Sequence, residues 1–349
     1  MSPVWQLTVT VALAVAVFAL NTVAWNNGLV IPLASTLLLL AILFTYTMSW
    51  GFFVEAHSKR SITRLFGQYV PPDLVNEMTQ HPESISLEGT SRELTVLFSD
   101  VRGFTSISES LSATELSALM NAYLTAMTRV IHKHRGTIDK YMGDAIMAFW
   151  GAPVAEPAHA RHALDTAMDM LFELESLNRD FIARGWPPLR IGIGLNTGMM
   201  SVGNMGSEFR MAYTVMGDAV NLGSRLEGLS KQYGVTIVVS EFTARVVPDY
   251  VYRPLDIVRV KGKLEPVKIL EPVAESGQLT APMQELLQRW ESALEAYHQQ
   301  QWDTAEQHLH SLIRHDDRPL YHLYLERIAH FRQSPPPADW DGVYTHTTK

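Results

Sequence analysis

Apolar positions crowd the first fifty residues and then thin into short periodic runs. Residues 4–25 and 29–50 are two apolar stretches without a charged side chain, separated by Asn26, Asn27 and Gly28. Each is close to the roughly 20 residues with which a helix crosses a bilayer. Trp5, Trp25 and Trp50 stand near the ends of these runs, where indole rings favour the membrane interface. A cleaved signal sequence is the competing reading of the first run. It lacks a basic start, and a second long run follows at once. The pattern therefore predicts two transmembrane helices over 1–53. Lys59, Arg60 and Arg64 follow directly, which puts that end, and with it the N-terminus, on the cytoplasmic side.

Residues 54–90 read as a helical linker. Ile62, Leu65, Phe66 and Tyr69 make one apolar stripe over a short amphipathic helix at 54–70. Pro71 and Pro72 interrupt it, Asp73 begins another turn, and His81-Pro82 with Gly89 mark a linker.

From 91 to 273 the periods of two and 3.6 alternate, predicting an α+β domain. Leu94 to Phe98 is a short strand ending at Ser99-Asp100. Ser112 with Glu115 forms a capping box ahead of a helix whose apolar residues run from Leu116 to Ile131, with Gly136 after its end. Residues 137–141 and 145–150 are strands around a Met142-Gly143-Asp144 hairpin. Helices are predicted at 157–184, closed by Gly185, and at 217–232. Further strands fall at 189–195, 235–240, 256–260 and 266–270. Residues 280–334 turn helical, and Trp290, Ala293, Leu294 and Tyr297 followed by Trp302, Ala305 and Leu309 resemble one tetratricopeptide-like helix pair, a possible site for a protein partner. The Pro335-Pro336-Pro337 tail to 349 is expected to be extended.

Length and charge narrow the functions. A chain of 349 residues accommodates about two domains. The net charge of −8 argues against a general nucleic-acid surface. With no cysteine, disulfides, zinc thiolates and cysteine nucleophiles are excluded.

The candidate chemistry sits on strand ends and one helix. Asp100 ends a buried strand ahead of a Gly-containing loop, and Asp144 lies at the hairpin turn. Two carboxylates so placed suit magnesium, which prefers one or two carboxylates plus substrate phosphates to a full protein cage. Asn221 and Arg225 are one helical turn apart and share a face. An amide and a guanidinium there can position a ribose and neutralise a reacting phosphate. Taken singly, each aspartate reads as a turn cap and the Asn–Arg pair as a solvated helix face.

The stretches FSDVRGFT, IDKYMGDAIMAFWGAP, IGIGLNTG, VGNMGS, YTVMGDAVNLGSRLEGLSKQYG and VRVKGK, in that order from about 92 to 272, together resemble the class III adenylate/guanylate cyclases. The apolar hairpin, the RLFGQYVPPDLV junction and the tail PPPADWDGV resemble the bacterial membrane-anchored receptor branch with CHASE-type sensors. The loop between the two apolar runs is too short to be such a sensor, which is expected to be absent from this chain.

The resemblance implies a ferredoxin-like βαββαβ catalytic domain acting as a head-to-tail homodimer with sites at the subunit interface. It implies conversion of ATP to 3′,5′-cyclic AMP and pyrophosphate, with two Mg2+ or Mn2+ ions per site. By its motifs Asp100 and Asp144, with the backbone carbonyl of Val101, hold metal. Lys140 donates to an adenine ring nitrogen, Thr214 faces the exocyclic amine and Phe104 makes an apolar contact. Asn221 and Arg225 orient the ribose and stabilise the transition state, and Lys263, with Lys261 as fallback, holds the terminal phosphates. Thr214 departs from the aspartate of many relatives, yet a hydroxyl can still accept from the amine. A guanylate cyclase would need an acceptor where Lys140 has only donors. A silent signalling scaffold would be expected to lose a metal aspartate or the arginine. A diguanylate cyclase would call for a GGDEF-like turn in place of Met142-Gly143-Asp144-Ala145.

Overall fold

A computed structural model of the chain describes residues 3–29, 32–67, 69–80, 89–259, 265–337 and 340–345. They form two compact units, Met1–Gln68 with Val75–Pro82, and Tyr69–Leu74 with Glu83–Lys349.

The first unit holds α1 (Pro3–Asn26) and α2 (Leu33–Phe66). Among the described residues one helix, Trp5–Asn26, is long and apolar enough to cross a membrane, with a mean hydropathy of 2.1; the apolar part of α2, Leu33–Ser49, is shorter. α2 continues unbroken for 34 residues, so the amphipathic segment expected at 54–70 is its second half. Gly51 alone is a weak breaker, costing about 1 kcal/mol in a helix interior, and the helix stops only before Gly67. The side chains of Trp50, Ile62 and Leu65 lie outside the described residues, as does most of the linker expected after Gln80. A short α3 (Pro72–Gln80) starts on Pro72 with Asp73 in its first turn, as expected.

The second unit begins with β1 (Thr90–Val101), α4 (Phe104–Ser110), α5 (Ala113–Lys133), β2 (Thr137–Met142), β3 (Ala145–Trp150), α6 (His159–Ala183) and β4 (Ile191–Ser207). This is a βαββαβ order, and β1 lies between β3 and β4, antiparallel to both. There follow β5 (Arg210–Met216), α7 (Asp218–Gln232), β6 (Ile237–Ser240), α8 (Glu241–Val246), β7 (Tyr250–Arg259) and β8 (Val267–Glu275). Last come α9 (Ala281–His298), α10 (Trp302–Ile313), α11 (Pro319–Gln333) and β9 (Tyr344–Thr345). The sheet runs β2-β3-β1-β4-β6-β8-β7-β9, with β5 folded back on the far half of β4.

Local sequence explains most of these boundaries. The Ser112–Glu115 capping box opens α5 as expected. Its end differs in cause: Arg135 takes the left-handed conformation. Gly136 serves close packing, since a Cβ there would lie 2.7 Å from the Trp150 ring. The strand expected at 189–195 runs on to Ser207 because its second half pairs with β5.

Two cores flank the sheet. One joins β1 to β4 with α5 and α6 through residues such as Leu97, Tyr123, Trp150 and Leu164. The other joins α7 and β6 to β8 with the three C-terminal helices through Leu226, Tyr233, Val258, Trp290 and Tyr324. The helices of 280–334 thus spend their apolar faces on the sheet and α7. The tail, expected to be extended, adds β9 beside β7.

Candidate active site

The antiparallel pairing of β1 and β3 opposes Ser99 to Ile146. The next residue of β1, Asp100, therefore meets the β2–β3 turn, where Gly143 has φ of 69° and Met142 pairs with Ala145. A two-residue hairpin of this kind needs positive φ, and it leaves Asp144 aimed at the end of β1. The Val101 N–H lies 3.1 Å from Asp100 Oδ1 and 3.3 Å from Asp144 Oδ2. Burial, and then the neighbouring Asp100 carboxyl, push Asp144 up to about 6. Two carboxylates crowded until one is driven toward neutrality fit a divalent cation, whose charge would offset the repulsion. Among the described residues no group of three or more His, Asp or Glu side chains could hold a metal. Two carboxylates are what magnesium takes when substrate oxygens complete its shell. Phe104 follows at the first position of α4, half-buried against the first core.

A second cluster forms around Asp139, to which the sequence pattern assigns no role. β2 carries a register shift between Ile138 and Lys140. Thr137, Ile138 and Asp139 are consequently all buried, while Lys140 is exposed. A bulge of this kind re-aims side chains. Asp139, 4% exposed, accepts on Oδ2 from the Thr214 hydroxyl at 2.6 Å and from the Val215 N–H at 3.3 Å. Its Oδ1 lies 3.0 Å from Lys140 Nζ, an ion contact without hydrogen-bond alignment. Lys140 and Thr214, distant in sequence, are thereby joined through one carboxylate.

α7 supplies the third group. It seats directly on the sheet because glycines line the contact: a Cβ at Gly194 would fall 2.2 Å from the Glu227 nitrogen, and one at Gly223 would fall 2.7 Å from Val96. Asn221 is exposed and Arg225 half-buried. No hydrogen bond or ion pair of either side chain is found among the described residues. Glu227, two residues on, pairs with Arg102 at 3.5 Å, and Arg102 also donates to Ser230. Burial pushes Glu227 up to about 7, Arg102 opposes the shift, and the charges of Asp100 and Asp144 add to it. These two residues went unnoticed in the sequence. Arg102 is visible only as the centre of FSDVRGFT, and Glu227 only as one turn beyond Gly223. Lys261 and Lys263 lie outside the described residues.

Residues 88–271, more than half of the chain, match the Adenylate and Guanylate cyclase catalytic domain. Adenylate cyclase 1 of Rhizobium meliloti (strain 1021) is 37% identical over 209 residues, covering 60% of this chain and 31% of that protein. The crystal structure of the adenylyl cyclase CyaB from P. aeruginosa is similar with a TM-score of 0.52 and 39% identity, over 56% of this chain and all of that one. That of the guanylyl cyclase Cya2 is similar with a TM-score of 0.51 and 36% identity, over 55% of this chain and 97% of that one. The chain spans less than half the length of the curated relatives it matches. Fold, motif order and match agree: this chain belongs to the adenylate and guanylate cyclase catalytic domain family.

Proposed function

We propose that this protein is a membrane-anchored adenylate cyclase that converts ATP to 3′,5′-cyclic AMP and pyrophosphate at sites shared between two copies of the chain. The observation that carries the reading is the pairing of Lys140 with Thr214 through Asp139, in a chain where the Val101 N–H also bridges Asp100 and Asp144. Lys140 has only protons to offer, which suits the bare ring nitrogen of adenine and opposes the N–H of guanine. This favours ATP despite the similarity to a guanylyl cyclase.

Asp100 and Asp144, with the Val101 backbone, would hold two Mg2+ or Mn2+ ions, which supply positive charge for the triphosphate and a lowered pKa for the ribose 3′-hydroxyl. Lys140 and Thr214 orient the base, and Phe104 offers an apolar surface beside it. Asn221 holds the ribose for in-line attack on the α-phosphate. Arg225 neutralises the charge that develops there, and Lys263, or else Lys261, the charge of the departing pyrophosphate.

Asn221 and Arg225, without a side-chain partner among the described residues, support a site completed by a second copy. So do the exposed apolar side chains Tyr141, Met199, Phe209 and Met211 on the hairpin strands and the β4–β5 turn. The apolar α1, the apolar first half of α2 and the basic residues after it support a two-span anchor in the inner membrane with the catalytic unit in the cytoplasm. The same segments, with the junction and tail motifs, support the CHASE-type receptor branch.

The test is to incubate the purified chain with ATP or GTP and Mg2+ or Mn2+ and to identify the nucleotide product by mass. Cyclic AMP with equimolar pyrophosphate is expected. Cyclic GMP as the preferred product, or no cyclic product with either metal, would overturn the assignment.

A further inference from the structure

The Thr214 hydroxyl has its proton already committed. Asp139 is buried, and its Oδ2 lies 2.6 Å from Thr214 Oγ1. An ionised carboxylate accepts and never donates, so between these two atoms Thr214 must be the donor. The Val215 N–H donates to the same oxygen and the Lys140 ammonium lies 3.0 Å from the other, so both carboxyl oxygens face donors. Thr214 is itself 4% exposed, so no bulk water competes for the proton. What remains to a ligand is the lone-pair side of its oxygen.

We infer that Asp139 is a positioning residue for nucleotide choice: by taking the Thr214 proton it turns a two-way hydroxyl into an acceptor, selecting purines with an amino group at C6. The bulge in β2 is the device that makes this possible. Regular alternation would turn Asp139 away from the side of its buried neighbour Ile138. The shift between Ile138 and Lys140 instead buries both and leaves Lys140 at the surface. One carboxylate thus fixes two neighbours in complementary senses, Lys140 as donor and Thr214 as acceptor. Adenine presents the matching acceptor and donor, and guanine presents the reverse at both positions. A threonine thereby does what an ionised carboxylate would do at that place, without adding charge beside the triphosphate.

The inference rests on the adenylate reading, and the experiment separates the two. Full-length protein and its Asp139→Ala, Asp139→Leu, Thr214→Val and Asp139→Ala/Thr214→Val variants are assayed for kcat/KM with ATP, GTP and purine riboside triphosphate. The last lacks only the 6-amino group and keeps the ring nitrogen that faces Lys140, so its ratio to ATP reports the Thr214 contact alone. The wild type should prefer ATP over it by roughly 5- to 100-fold, the range of one buried hydrogen bond. Thr214→Val should erase most of that preference. Asp139→Ala should lower it to a similar level, and the double variant should go no lower than either single one. Asp139→Leu keeps about the side chain's size and offers no acceptor to the Thr214 hydroxyl or the Val215 N–H. The hydroxyl is then free to donate, and the ratio falls there too. That variant decides the matter if Asp139→Ala does not fold. A wild-type ratio in a folded Asp139 variant, whatever its overall rate, or no loss of ratio in Thr214→Val, would overturn the inference and leave the adenylate assignment intact. A wild type that favours GTP would overturn the assignment itself.

Discussion

His159 stands at one end of a buried polar chain. Its Nδ1 lies 2.8 Å from Thr95 Oγ1, which lies 2.8 Å from Thr197 Oγ1, which in turn lies 3.0 Å from Thr243 Oγ1. Burial holds its pKa below the usual 6.5, Glu93 and Glu156 pull it back up, and His162 adds to the lowering. The folded protein therefore resists protonating this ring more than the unfolded chain does. The resulting stability is whole above pH 6.5 and is lost as pH falls below it. The gap in thermal midpoint between wild type and His159→Gln should narrow as pH drops from about 7.5 to about 5.5. A gap that holds or widens would show that the ring charges as readily folded as unfolded. At this scale the sequence exposed residue types and spacing. The carboxylates at Asp100 and Asp144 were legible because each ends an element. Asp139 was not, because its role depends on a bulge that breaks the period of two, and a bulge leaves no mark in the hydrophobic pattern.

The helix α7 is held from both sides. Its front lies flush on the sheet through Gly194 and Gly223. Its C-cap residue Tyr233 donates to Asp256 at 2.5 Å, and Arg327 of α11 reaches both, 2.6 Å from Asp256 Oδ2 and 3.1 Å from the Tyr233 hydroxyl. The guanidinium also lies 3.7 Å from the centre of the Tyr344 ring. Removing one partner of such a buried ion pair strands the other charge, at a cost of typically 3–5 kcal/mol. Arg327→Met should lower the free energy of unfolding by about that amount, measured in urea, and Arg327→Lys should restore little of it because one ammonium cannot fork to both partners. A loss below ~1 kcal/mol would mean that Asp256 finds other compensation. The helices and most strands were readable because their apolar periods and caps are local. The β4–β5 hairpin and the merging of the C-terminal helices with the catalytic core were not. Glycine-rich strands take their order from pairing, and a helix pair looks the same in sequence whatever covers its apolar face.

At the scale of the molecule, the residues proposed for the site fall into two groups on one chain, each half of a site. Asp100 and Asp144, the carboxylates proposed to hold metal, lie at the end of β1 and in the β2–β3 turn. The side chains proposed to bind base, ribose and phosphate lie on β2, β5 and α7, where Asn221 is exposed, Arg225 is half-buried and neither has a partner among the described residues. A homodimer would then join each carboxylate pair to the other copy's α7 and build two equal sites. Mixing two inactive variants tests this most directly. Asp100→Ala and Arg225→Ala should each be inactive alone. In a heterodimer of the two, both lesions fall in one site and the other is intact, so cyclic AMP formation should return toward half the wild-type rate per heterodimer. No recovery, with subunit exchange demonstrated by affinity-tag capture, would contradict a site built between two chains.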